Sequence, residues 1–160
     1  MNNSEFENKV VLVTGAAGAL GRAVVAHFAE RGARIAELDV LEIASDHYSA
    51  TCDLTSTVAC QQAVSAITAE LGGIDVLANI AGGFTMGETV HETSAETWDF
   101  MMGLNAGSVL NMARAVVPVM MAAGAGKIIN IGAGAGQKGA GQMGAYGASK
   151  SVVIRLTESM

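Results

Sequence analysis

Lys9-Val10-Val11-Leu12-Val13-Thr14-Gly15-Ala16-Ala17-Gly18-Ala19-Leu20-Gly21 is the stretch whose reading decides the fold. Lys9 to Val13 is a short β-branched and apolar run, the pattern of a strand covered on both faces of a parallel sheet. Leu20, Val24 and Phe28 then recur at helical spacing, and Gly32 stands where such a helix would stop. Between them, Thr14 to Gly21 holds only one side chain larger than threonine. Small residues let a backbone approach a pyrophosphate closely, and the free amides and positive dipole end of the following helix favour its charge. A tight packing turn would use glycines too, but the strand before and the helix after favour a dinucleotide site on Gly15, Gly18, Ala19, Leu20 and Gly21.

Outward from this turn, strands and helices alternate. Ala33 to Leu38, Tyr48 to Cys52, Ile74 to Ala78 and Lys127 to Ile131 read as four further strands. Helical spacing links Val58, Ala63, Ile67 and Leu71. It returns after Thr93-Ser94-Ala95-Glu96, which has the form of a capping box, and continues through Trp98, Met101, Val109, Met112, Val116 and Met120. Pro118 should bend or shorten that helix. A glycine-rich, mobile loop is expected after the fifth strand, then a last helix with Ala148, Val152, Leu156 and Met160 on its inner stripe. The pattern predicts an α/β fold, a doubly wound parallel sheet (Rossmann-like) of strand order 3-2-1-4-5. The ligand crevice belongs where that order reverses, between the first and fourth strands.

A chain of 160 residues, 51% of them hydrophobic, suits one domain, 1–160. The last helix is still in register at Met160, so the expectation is a domain incomplete at its C-terminus. A net charge of -6 with 15% charged residues gives no footprint for nucleic acid or an anionic membrane, which leaves small molecules and proteins as partners. No run reaches the roughly 18 uninterrupted apolar residues of a membrane span. Met1 to Asn8 lacks the regions of a secretory signal, and Cys52 and Cys60 read as packed thiols, so a cytoplasmic setting is expected. The apolar helices over Trp98–Met121 and Tyr146–Met160 predict a two-fold homo-oligomer.

Asp39 closes the second strand eighteen residues after Gly21, where an acid reaches the ribose hydroxyls of NAD and repels the extra phosphate of NADP. The turn itself carries no lysine or arginine to offset that repulsion, although Arg22 and Arg34 are near in sequence. NAD is therefore expected over NADP. Tyr146 and Lys150 stand four apart on the last helix, so phenol and ammonium share one face. A phenol is a poor proton carrier at neutral pH unless a cation stabilises its phenolate, and Lys150 is placed to supply one.

From about Lys9 to Met160 these residues resemble the short-chain dehydrogenase/reductase family, whose pattern sets a TGxxxGxG turn first and a YxxxK pair on a later helix. The resemblance implies an oxidoreductase that moves hydride between a nicotinamide cofactor and an alcohol or ketone. It gives Tyr146 the role of acid/base and Lys150 those of electrostatic partner and ribose ligand. Asp53, with Leu54 beside it, is similar to the acid that contacts adenine. Asn79-Ile80-Ala81-Gly82 resembles the NNAG segment, placing Asn79, Ala81 and Gly82 at the cofactor, and Asn105 resembles the asparagine that holds a water in the proton relay. The family's serine, thirteen residues before the tyrosine, is Ala133 here, and no serine or threonine occurs from Gly126 to Gly147. Ala19 and Ile80 replace a glycine and an asparagine of the pattern. The loss at Ala133 sets a second reading beside the first, a non-catalytic nucleotide-binding or interaction protein on the same fold.

Overall fold

The computed structural model describes residues 4–160; residues 1–3, the start of the segment read above as lacking a secretory signal, lie outside them. Five parallel strands form one sheet in the order β3-β2-β1-β4-β5. They are β1 (Val10–Thr14), β2 (Arg34–Asp39), β3 (Tyr48–Thr51), β4 (Val76–Asn79) and β5 (Lys127–Asn130). All five residues of β1 are buried, because it lies at the centre of the sheet between β2 and β4. Lys9 Nζ donates to Asp75 (2.9 Å), and the Val10 amide donates to the other oxygen of the same carboxylate (2.9 Å). These bonds fix the register in which β1 and β4 enter the sheet. Their carboxyl ends, Thr14 and Asn79, therefore stand side by side at the point where the strand order reverses.

Helices α1 (Ala19–Ala29), α2 (Thr57–Leu71), α3 (Ala95–Met101), α4 (Ser108–Ala123), α5 (Gly134–Gln137) and α6 (Gly144–Glu158) complete the fold. The core divides across the sheet. On one side Leu12, Leu38 and Leu77 pack with Ile67 of α2 and Met112 and Val116 of α4; on the other Val11, Val13 and Ile35 pack with Val25 of α1. A π-helical segment, Met102–Gly107, joins α3 to α4. By length and composition alone the continuous helix Ala95–Ala123 is apolar enough to cross a membrane. Here Met101, Met112, Val116 and Met120 are buried inside the protein, so much of that apolarity serves the core.

Several local expectations need correction. Pro118, expected to bend or shorten its helix, does not shorten it: α4 continues to Ala123. Proline removes the amide that would bond Arg114, but Arg114 and Pro118 are both exposed, so water can solvate the freed carbonyl. The cap of α3 is Ser94, whose Oγ accepts from the Thr97 amide (3.0 Å), one residue later than the box reading that started at Thr93. Residues 134–137 of the glycine-rich stretch form a short helix packed on α6, where a Cβ on Gly136 would stand 2.8 Å from the Lys150 backbone. Finally, the buried side of α6 is Ala145, Ser149 and Val153 with Lys150, while Ala148, Val152 and Leu156 are half-buried and Met160 lies past the helix, exposed.

Candidate functional site

The turn after β1 is built by contacts that side chains would prevent. Gly15 has φ +66°, and a Cβ on it would stand 2.7 Å from Ala81 Cα. A Cβ on Gly21 would stand 2.1 Å from the Gly15 carbonyl oxygen. Gly18 caps α1 without a side-chain bond, and Arg22 is the first amide to bond back, to Gly18 (3.0 Å). Among the described residues the amides of Ala19, Leu20 and Gly21 have no protein acceptor, which leaves a helix N-terminus ready for an anion.

That helix end opens on a crevice of about 450 Å³. Gly15, Gly18, Ala19, Leu20, Gly21, Asp39, Asp53, Leu54, Ala81 and Gly82 all line it. Asp39 is tied to both sides of its turn: the Ala17 amide donates to Oδ2 (3.0 Å) and the Leu41 amide to Oδ1 (3.1 Å). At Asp53 the hydroxyl (2.7 Å) and amide (2.9 Å) of Thr55 both donate to the carboxylate and hold it below the usual carboxyl range. Its charge is thus retained. Thr14 Oγ1 accepts from the amides of Ile80 and Ala81 (3.2 Å each), which turns the segment after β4 across the mouth of β1.

Of the expected cofactor residues, Asn79, Tyr146 and Lys150 do not line this crevice, and Asn79 has a different task. Its side chain is buried and donates to Asn130 on β5 (2.8 Å), so it braces the ends of two strands rather than lining the crevice. Sequence reading also passed over Ala17, Val40, Leu41, Thr55, Ile80 and Leu104, which line the same space. Val40 and Leu41 gave a usable signal, since two apolar residues directly after a strand-ending acid are left exposed unless a ligand or loop covers them.

Asn105 and Lys150 stand at the inner end of this crevice, on the far side of Gly82. A Cβ on Gly82 would lie 2.8 Å from Asn105 Oδ1 and 3.5 Å from Lys150 Nζ, so the missing side chain is what lets both approach. Asn105 is 1% exposed and lies in the π-helical segment. Its Oδ1 accepts from the Gly83 amide (2.9 Å), and its Nδ2 donates to the Gly83 carbonyl (3.1 Å) and to Ser149 Oγ (3.0 Å). Ser149 in turn donates to the Tyr146 carbonyl (2.8 Å). The amide side chain therefore fastens the α6 helix to the segment after β4, with Ser149 as the link; a hydroxyl one turn after the tyrosine was the sequence signal for it. These bonds explain why polar residues occupy the inner face of α6, which apolar periodicity alone misplaced.

Lys150 is 6% exposed, and its ammonium donates to the Ile131 carbonyl (2.8 Å). Burial pushes its pKa below the ordinary lysine value, since the charged form loses solvation. Tyr146 is half-buried one turn earlier on α6, its ring set edge-to-face against Phe84 at 4.8 Å and 88°. Ala133 caps α5 from an extended backbone, two residues beyond the carbonyl that holds Lys150.

A helix N-terminus with free amides, opening on a crevice at the switch point of a parallel sheet and with a buried ammonium beyond Gly82, is the architecture of a dinucleotide-binding α/β protein. The short chain dehydrogenase family model matches residues 9–160, and the chain belongs to that family. It is similar to sorbitol dehydrogenase of Cereibacter sphaeroides (36% identical, covering 96% of this chain and 64% of that protein). A comparable relative is D-threitol dehydrogenase of Mycolicibacterium smegmatis (34%, 96% and 63%). Among solved structures, an NAD+-bound xylitol dehydrogenase superposes with a TM-score of 0.91 at 32% identity, over 97% of this chain and 64% of that one. The chain thus spans just under two thirds of the length of these relatives.

Proposed function

We propose that this chain carries the cofactor-binding and proton-transfer residues of an NAD-dependent oxidoreductase that interconverts an alcohol and a carbonyl compound. The observation that carries the reading is the meeting at Gly82 of the crevice lined by Gly15–Gly21 and the buried cluster of Asn105 and Lys150. Three unpaired amides at the start of α1, beside glycines whose absent Cβ atoms leave the backbone open, suit a diphosphate. Asp39 and Asp53 line the crevice, and no lysine or arginine does among the described residues, which favours ribose hydroxyls over a ribose phosphate and hence NAD over NADP.

Bound NAD supplies the hydride acceptor or donor. The chain's own part is the proton. In oxidation the phenolate oxygen of Tyr146 takes the hydroxyl proton as hydride leaves the carbinol carbon; in reduction the phenol returns it to the carbonyl oxygen. Lys150, one turn after Tyr146 on α6 and with its ammonium held by the Ile131 carbonyl, would supply the positive charge that favours the phenolate and would hold the cofactor ribose. Asn105 keeps the tyrosine helix in register with the segment after β4. Its further proposed part is to hold a water in the proton relay. The substrate oxygen lacks one donor, because Ala133 has no hydroxyl.

Ala133 also favours the second reading, a binding protein without turnover, and one substitution separates the two. Ala133→Ser restores a hydroxyl donor, and a donor of that kind is worth on the order of 100- to 1000-fold in rate. Slow wild-type reduction of a broad ketone panel with NADH, raised by about that factor in Ala133→Ser, is the expected result. Tight NADH binding with no turnover in the wild type, and activity only in the serine variant, assigns the chain to the binding class.

We also propose that the protein is a homo-oligomer. Trp98, Phe100 and Met121 of the α3–α4 helix are large, apolar and exposed. Sedimentation at micromolar concentration is expected to give a dimer or tetramer; a lone monomer contradicts it.

A further inference from the structure

The segment after Gly83 is pinned against the start of α6 by three contacts. The Phe84 ring stands edge-on to the Tyr146 ring at 4.8 Å. The Gly87 amide donates to the Gln142 carbonyl (3.0 Å). Val90 lies so close that a Cβ on Gly144 would be 3.3 Å from its Cγ2. At its base, both backbone groups of Gly83 are held by Asn105, and Leu104 Cδ2 would be 2.9 Å from a Cβ there. Phe84 is therefore fixed by its neighbours on both sides. It nonetheless remains 56% exposed, with Met86 and Val90 exposed along the same segment.

The carboxylate on this segment is already engaged: Glu88 accepts from Thr97 Oγ1 (3.1 Å) and from the Ser94 amide (3.2 Å). The position that would present a hydroxyl to the substrate holds the methyl group of Ala133. A substrate whose reacting oxygen sits on the Tyr146 phenol thus meets an aromatic wall at Phe84, with no side-chain hydroxyl at Ala133 to anchor further hydroxyl groups.

We infer that Phe84 is a specificity-determining residue and that the substrate carries an aryl or branched alkyl group on its reacting carbon. The inference rests on the oxidoreductase reading and goes beyond it by setting this chain apart from polyol-oxidising relatives in substrate class. An apolar group packed on the exposed Phe84 ring removes apolar surface from water, whereas a hydroxyl laid on that ring loses its water partners and finds no hydrogen-bonding group on the ring to replace them.

The test uses the intact polypeptide with NADH and compares kcat/KM for an aryl methyl ketone, acetophenone, with that for a polyhydroxy ketone, dihydroxyacetone. Acetophenone is expected to be favoured by at least about tenfold, the scale on which apolar pockets discriminate. Phe84→Ser should reduce that ratio by about tenfold, chiefly through KM for acetophenone, and Phe84→Leu, which keeps an apolar wall, should retain most of it. NADH affinity should stay the same in both variants, since Phe84 does not line the nucleotide crevice. Preference for dihydroxyacetone, or an unchanged ratio in Phe84→Ser, overturns the inference while leaving the oxidoreductase reading standing. NADH binding without reduction of either ketone or any other carbonyl overturns both.

Discussion

Tyr146→Phe is expected to lower kcat by 100- to 10,000-fold, on the order lost when a positioned proton carrier is removed. The substitution deletes one oxygen. The ring that packs edge-to-face with Phe84 remains, as do the Ser149 bond to the residue 146 carbonyl and the Lys150 bond to Ile131. Fold and NADH affinity should therefore be unchanged within a few-fold, and the loss should fall on kcat rather than KM. Because a low starting rate is expected with Ala133, the comparison is sharpest in an Ala133→Ser background, where the fall has room to be measured. Steady-state NADH oxidation with a ketone checks it. A variant that keeps its rate would mean that solvent or another group supplies the proton.

Gly21→Ala is expected to weaken NADH binding by about 100-fold, equivalent to about 2.7 kcal/mol. The added methyl would lie 2.1 Å from the Gly15 carbonyl oxygen and 2.7 Å from Ala16 Cα, so backbone rather than a flexible side chain must yield. Moving Gly15 disturbs a residue that is itself packed on Ala81, and the three amides at the start of α1 lose their common aim. Overpacking of this kind also costs about 1–3 kcal/mol of stability, to be read by urea denaturation. Gly73→Ala is the control, since a Cβ there meets nothing within 4 Å and its addition should leave both quantities as they were.

The central strands were legible because buried parallel strands favour short, continuous apolar runs, and Val10–Val13 and Val76–Ala78 have that form; β2 departs from it at Glu37, which is buried and accepts from Ser45 Oγ (3.0 Å). The phosphate turn was legible for a steric reason: positions where a Cβ collides with backbone admit only glycine, and Gly15 and Gly21 are two of them. Ala19 fills the site of a family glycine at the free end of a helix and still lines the crevice.

Long-range polar contacts were not legible. The bond from the Asn79 side chain to Asn130 spans 51 residues and leaves no local pattern, so sequence reading gave Asn79 a place at the cofactor without its partner on β5. Ser149 and Lys150 displaced the expected inner stripe of α6 because both are buried through partners elsewhere, Asn105 and Ile131. The π-helical turn that carries Asn105 also has no periodic signature, since the apolar spacing continues through it.

The central claim is that the backbone from Gly15 to Gly21 holds the diphosphate of NAD, with Asp39 on the adjoining ribose. Amide chemical-shift mapping of the intact polypeptide during titration with NAD+ tests it most directly. The largest changes are predicted at Gly18 to Gly21, with smaller ones at Leu41, Leu54 and Gly82. Saturating NAD+ that leaves the Gly18–Gly21 amides unmoved would contradict the claim.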